Sequence, residues 1–146
     1  MSLTRSELRS WVTIVAGMQA LLDALDRQLR DEAGMSHDEY RILSRLHRGG
    51  DQAMRMSDLA REVGFSPSRL SHSANRLENE GWLSRHRSRE DGRVVMATLT
   101  EAGRARVKAV SPGHLRLVNR LVFETLGPER AADFAGAFDQ IRRATR

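Results

Sequence analysis

The chain has 146 residues, of which 40% are hydrophobic, enough for one domain with a core of its own. Its formal net charge is +5, which favours an anionic partner, and Lys108 is the only lysine, so nearly all of that basic charge is guanidinium. The absence of cysteine excludes a disulfide scaffold, a thiol switch and a cysteine-containing metal site.

The spacing predicts a first helix over Thr4 to Glu32, ending at Gly34, with Trp11, Val15, Met18, Leu22, Leu25 and Leu29 as its apolar stripe. Asp23 breaks this stretch, which is too short and too polar to span a bilayer; with no signal peptide in view, the expected location is the cytoplasm. Ser36, with Glu39 three residues later, forms a capping-box pattern that opens a second helix closed by Gly49-Gly50, with Tyr40, Leu43 and Leu46 as its apolar members. Met56 to Val63 reads as a short third helix and Gly64 as a turn.

Ser66 then offers an N-cap and Pro67 a first helical position, where a missing N–H costs nothing. This fourth helix runs to Gly81. Leu70, Ala74 and Leu77 recur at i, i+4 and i+7 and give it one apolar face, which leaves Ser68, Arg69, His72, Ser73, Asn75 and Arg76 for the other. Trp82 to His86 and Val94 to Leu99 read as antiparallel strands joined by Arg87 to Arg93, a basic tip holding an Asp91-Gly92 hairpin signal. Thr100 caps a further helix, which Pro112-Gly113 is expected to kink or break; Leu115, Val118, Leu121, Val122 and Leu126 continue its apolar face. After Gly127-Pro128, a last helix carries Phe134, Phe138 and Ile141.

Two short helices followed by a strand pair with a basic tip is the grammar of a winged helix-turn-helix. Met56-Ser57-Asp58-Leu59-Ala60, the helix closing on Leu77-Glu78-Asn79-Glu80-Gly81, Asp91-Gly92-Arg93 and Leu99-Thr100-Glu101-Ala102-Gly103-Arg104 occur here in the order and spacing that resembles the MarR family of bacterial transcription regulators. One departure is Gly92, where the family often has a second basic residue. The expected fold is mainly α with a small β-hairpin wing. The resemblance implies a single domain over 1–146, with a DNA-reading part at 36–100 and dimerisation helices at 1–34 and 101–146. It also implies a homodimer, usually a repressor, on a pseudo-palindromic double-stranded DNA operator, released by a small-molecule effector.

The residue types on the fourth helix suit a groove, because hydroxyls and guanidinium groups donate to phosphate and base edges. Ser68, Arg69, His72, Ser73 and Arg76 are the candidates there, with Arg69 or Arg76 for bidentate bonds to guanine. At the wing the candidates are Arg87, Arg89 and Arg93, with Asp91 orienting Arg93 by an ion pair. Asn75 is read toward solvent or a partner, and Arg85 as the partner of a nearby acid or a phosphate contact. The family's effector cleft maps onto Trp11, Val15, Met18, His37, Tyr40 and Arg41, a lining that suits a small aromatic carboxylate or phenol. The bland alternative is that Trp11 and Met18 are simply core.

His37, His47, His72, His86 and His114 are scattered, with no pair at i, i+4, so no metal or other cofactor is expected. No phosphate-cradling glycine loop, nucleophile elbow or isolated carboxylate pair points to an enzyme. A winged-helix protein-interaction module without sequence-specific DNA binding is the alternative function. An apolar or mixed outer face on the fourth helix would favour it, and this face is hydroxyl and arginine.

Overall fold

A computed structural model of the chain describes residues 2–50 and 52–145. They form α1 (Arg5–Ala33), α2 (His37–Arg48), β1 (Met54–Arg55), α3 (Met56–Val63), α4 (Pro67–Asn79), β2 (Leu83–Arg87), β3 (Val95–Leu99) and α5 (Glu101–Val118). A π-helical turn over Asn119–Phe123, a short α6 (Glu124–Leu126) and α7 (Pro128–Ala144) follow. Among the described residues no helix is long and apolar enough to cross a membrane.

The chain divides into two compact units, Leu22–Ser111 and Met1–Leu21 with Pro112–Arg146. The first holds the helix-turn-helix and the wing. Its helices begin where short polar side chains satisfy free backbone N–H groups. Ser36 Oγ accepts from the Glu39 N–H while Glu39 Oε2 accepts from the Ser36 N–H at 2.8 Å, completing the capping box of α2. Ser66 Oγ accepts from the Arg69 N–H at 3.2 Å, with Pro67 in the first turn of α4. Between α3 and α4, Gly64 takes φ +73°, and the Phe65 N–H reaches back to the Ala60 carbonyl at 2.9 Å.

These helix ends aim their apolar faces at one core. Leu29, Met35, Ile42, Leu43, Leu59, Leu70, Ala74, Leu77 and Leu83 are almost completely buried in it. Truncating one such leucine to alanine typically costs about 2–5 kcal/mol, so the stripe of α4 is what anchors that helix to the unit.

The sheet has the order β1-β3-β2, antiparallel throughout, with Leu83 opposite Leu99 and Arg87 opposite Val95. The hairpin strands lie within a residue or so of their expected bounds. β1 was not expected: Met54 and Arg55 pair with Ala97 and Met96, and two residues are too few to show a period. The Asp-Gly signal also works differently from a tight two-residue turn. Gly92 is not among the glycines at positive φ; the loop is closed by the Ser88 N–H on the Val94 carbonyl at 2.8 Å and by Asp91 Oδ1, which accepts from the Arg93 N–H at 3.0 Å.

α5 starts at the cap Thr100, whose Oγ1 accepts from the Gly103 N–H at 3.0 Å. A Cβ at Gly103 would lie 2.0 Å from the Trp82 carbonyl oxygen, so the first turn of α5 presses directly on the backbone that enters β2. Of the kink or break expected at Pro112-Gly113, the break does not occur. α5 continues through Pro112 to Val118, and the irregularity comes later, as the π turn. Proline removes one N–H from the helix ladder and crowds the carbonyl four residues back, at a cost of about 3 kcal/mol, and here that does not end the helix.

In the second unit the apolar residues are conspicuous for their exposure. Leu8, Trp11, Val12 and Val15 recur along one side of α1, and Leu115, Phe123, Phe134 and Ile141 lie on the later helices, all largely exposed. The Phe134 and Phe138 rings pack against each other with centroids 4.6 Å apart. The first-helix stripe is therefore split: Leu25 and Leu29 are buried, Met18 is half-buried, and Trp11, Val15 and Leu22 are exposed. Within one copy of the chain Trp11 is not a core residue.

Candidate nucleic-acid interface

Burial of Leu70, Ala74 and Leu77 fixes the roll of α4, and its outer side presents Ser68, Ser71, His72 and Asn75. Ser68 and Ser66 share a hydroxyl contact at 3.2 Å. Ser71 was missed by sequence reasoning, although its place directly after Leu70 puts it about 100° from the apolar stripe on a helical wheel. Ser73 corrects an expectation in the other direction. It sits beside Ala74, is only 6% exposed, and belongs to the packed side of the helix.

Arg69 and Arg76 are not free on that outer face. The Arg69 guanidinium donates Nε and Nη2 to the two oxygens of Asp38, each at 2.7 Å, and lies over the Phe65 ring at 4.1 Å. Arg76 Nε meets Glu39 Oε1 at 2.8 Å, and its Nη2 donates to the Gly34 carbonyl at 2.7 Å. Glu39 is buried, so it depends on Arg76 for its counter-charge and on the Ser36 N–H for its other oxygen. On the opposite flank Arg85 on β2 donates to Glu78 and to Asn75 Oδ1. The reading of Arg85 as the partner of a nearby acid holds, and Asn75 has a partner within its own unit.

The wing tip differs. Arg93 is 94% exposed, with Asp91 at 3.5 Å as its nearest carboxylate, so the expected Asp91–Arg93 pair is present but open to solvent. Arg89 is exposed, and Arg87 donates to the Gly92 carbonyl at 2.7 Å, which stiffens the loop. The tip thus carries three exposed arginines against Glu90 and Asp91, a net positive group held on a short, internally bonded turn.

Of the six residues expected to line an effector cleft, the structure brings two together. His37 and Arg41 line a polar groove of about 550 Å³ with Asp26, Asp38, Arg69 and Arg76 among its other walls. Tyr40 is buried and donates its hydroxyl to Ser111 Oγ at 3.0 Å; it does not line the groove. Trp11, Val15 and Met18 belong to the other compact unit and are not lining residues of this groove. The lining is ionic where an amphipathic aromatic one with a single cation was expected. Burial, then the nearby Arg41 charge, holds the His37 pKa below the usual histidine value, and burial lowers that of Arg41. Among the described residues no cluster of histidine and acidic side chains could hold a metal ion.

Residues 24–110 match the family model of the transcriptional regulator SarA/Rot. The chain is 33% identical over 93 residues to the uncharacterized HTH-type transcriptional regulator YwhA of Bacillus subtilis, a match covering 64% of this chain and 65% of that protein. It is 34% identical over 96 residues to YfiV of the same organism, covering 65% of this chain and 58% of that one, so it spans about three fifths of the length of these relatives. Among solved structures it is similar to Sco3205, a MarR family transcriptional regulator from Streptomyces coelicolor, with a TM-score of 0.94, 33% identity, and 99% of this chain and 90% of that one covered. AbsC, another from that organism, gives 0.91, 33%, and 100% and 98%. With its helix-turn-helix, its three-stranded wing and these matches, the chain belongs to the MarR family of winged-helix transcriptional regulators.

Proposed function

We propose that the protein binds double-stranded DNA sequence-specifically as a homodimer, acting as a repressor on a pseudo-palindromic operator. The observation that carries the reading is the pairing of an outward, hydroxyl-rich α4 with an arginine-tipped wing on the same compact unit. A helix of that kind enters a major groove, and exposed arginines suit a narrow minor groove beside it. The Sco3205 structure, 33% identical, is a complex with DNA, which supports the same use here. The proposed contact set is Ser68 and His72 on α4 and Arg87, Arg89 and Arg93 on the wing, with Arg93 foremost. Residues 36–100 form the proposed reading part.

The dimerisation part is 1–34 with 101–146, supported by the exposed apolar side chains of α1, α5 and α7. Leu8, Trp11, Val12 and Val15 fall at helical spacing, and a contiguous apolar stripe of that kind is ordinarily covered. A two-fold dimer sets two copies of α4 roughly 34 Å apart, one turn of DNA. A small anionic or aromatic effector that releases DNA completes the proposal, with His37 and Arg41 as its supporting residues.

The test is binding of the purified protein to its own upstream intergenic DNA and to a scrambled duplex across a salt series. Tight, selective binding with a defined footprint is expected. Equal, weak and strongly salt-sensitive binding to both duplexes refutes the sequence-specific reading and favours a protein-binding role.

A further inference from the structure

The four arginine nitrogens that meet Asp38, Glu39 and Gly34 come from two residues seven apart on α4. Seven residues are two turns, about 10 Å along the axis and nearly the same angular position. Both guanidinium groups converge on consecutive residues in the first turn of α2, Asp38 and Glu39. Two attachments on one side of a helix, two turns apart, oppose both its rotation about its own axis and its tilt. On the other flank, the Glu78–Arg85–Asn75 cluster ties α4 to β2. A slip of one residue in roll would turn the outer set by about 100°, replacing Ser68 and His72 by their neighbours at the surface.

Resting on the DNA-binding reading above, we propose that Arg69 and Arg76 are positioning residues that clamp α4 to α2 at the roll needed for base reading. The base-reading set is then the outer row Ser68, Ser71, His72 and Asn75, which holds no arginine. For Arg69 to take up guanine it would have to leave a bidentate carboxylate, stranding Asp38 beside the phosphates of DNA. For Arg76 to do so would leave the buried Glu39 without its directly bonded counter-charge. Asn75 fits the row in a specific way: arginine only donates, so Arg85 engages the amide oxygen and leaves the NH₂ donors for purine acceptor edges.

The experiment has a DNA-free arm and a DNA arm. In the first, urea unfolding of wild type, Asp38→Ala, Arg69→Met and the double variant gives the coupling between the two side chains. The expected coupling is about three- to fivefold in the unfolding equilibrium constant, as for a well-formed bidentate pair, and additive effects overturn the clamp whatever the protein binds. In the second, Arg69→Met and Arg76→Met, at a temperature where circular dichroism shows wild-type helicity, are titrated with operator and scrambled duplex. The clamp predicts about a tenfold loss of operator-over-scrambled selectivity, with affinity for scrambled DNA and the slope of log K against log salt unchanged. Arg93→Met should instead flatten that slope by about 0.9 per lost phosphate contact. The exchanged pair Asp38→Arg with Arg69→Asp should recover the selectivity that Arg69→Asp alone loses. A flattened slope in Arg69→Met, or no recovery in the exchanged pair, overturns the assignment. Absence of selective binding by wild type refutes the DNA-reading proposal, and the unfolding coupling then judges the clamp by itself.

Discussion

Replacing Gly103 with alanine sets two opposing effects against each other, and the structure says which one wins. Helix propensity favours alanine by about 1 kcal/mol in a helix interior, most of it glycine's greater freedom in the unfolded chain. Against this, the new Cβ would stand 2.0 Å from the Trp82 carbonyl oxygen, and 2.9 Å from both the Trp82 carbonyl carbon and Leu99 Cδ1. The obstacle is backbone, so it cannot rotate away as a flexible side chain does. The first turn of α5 must retreat by about 1 Å, and overpacking of this kind typically costs about 1–3 kcal/mol or more. The retreat also loosens the Thr100 N–H bond to the Trp82 carbonyl, now 3.2 Å, and the hydrophobic contacts beneath it.

With an overlap this deep the cost lies at the upper end of that range, about 3 kcal/mol, against the gain of about 1 kcal/mol, so the expected net result for Gly103→Ala is destabilisation by about 2 kcal/mol, or about 4–8 °C in Tm for a chain of this length. Urea unfolding at fixed protein concentration, with an unchanged m-value, measures it. Gly136→Ala is the control, since it lies within α7, where an added Cβ meets nothing within 4 Å, and should be stabilising by up to about 1 kcal/mol. A Gly103→Ala protein as stable as wild type would refute the argument from close approach.

Ser36→Ala removes one half of the capping box and should cost about 1 kcal/mol in the same unfolding assay, with Ser36→Asp recovering most of it; equal stability of the alanine variant would show that the cap contributes nothing. His37 has a folded pKa held below its unfolded value of about 6.5, by burial first and then by Arg41, against the opposing charges of Asp38 and Asp26. The unfolded chain therefore binds more protons in that window. Stability is fully present above about pH 7 and falls as pH drops through 6.5, and His37→Gln should flatten the dependence between pH 5.5 and 7. An equally steep dependence in the variant would remove His37 as its source. Trp11→Glu with Val15→Glu places charge on the exposed apolar side of α1 and should convert the proposed dimer to a monomer in sedimentation experiments at micromolar concentration, while the folded signal of the Leu22–Ser111 unit persists; an unchanged sedimentation coefficient would exclude this face from the proposed interface.

What could be read from the sequence was local. Ser36 with Glu39, Ser66 with Pro67 and the stripe Leu70, Ala74, Leu77 each act within a few residues, and helix starts and buried faces came out at the expected positions. Thr100 and Gly103 were recognised as part of a motif, but the need for glycine there lies in Trp82, twenty-one residues away in sequence and in contact only after the strand has folded back. β1 escaped notice for a related reason: two residues carry no period, and their identity as a strand comes from Ala97 and Met96. The effector lining was drawn from two elements that the fold divides between units, leaving His37 and Arg41 among charged neighbours.

The arginines show most clearly why composition is a poor guide to contact. A net charge of +5 suggests a broadly basic surface, yet Arg45, Arg69, Arg76 and Arg85 all pair with carboxylates inside the helix-turn-helix unit. Their separations from those acids, 31 residues for Arg69 and Asp38, cannot be seen in a linear reading. An arginine on the flank of an amphipathic helix lies beside the neighbouring helix, where a carboxylate in that helix's first turn can draw it in, helped by the ring of Phe65 beneath the Arg69 guanidinium. At the hairpin tip no neighbouring helix draws the arginines in: Arg89 is exposed, and Arg93 stays 94% exposed although Asp91 of the same loop lies 3.5 Å away. The division between arginines that hold the scaffold and arginines open to a partner therefore follows from position in the fold, with the same side-chain chemistry in both roles.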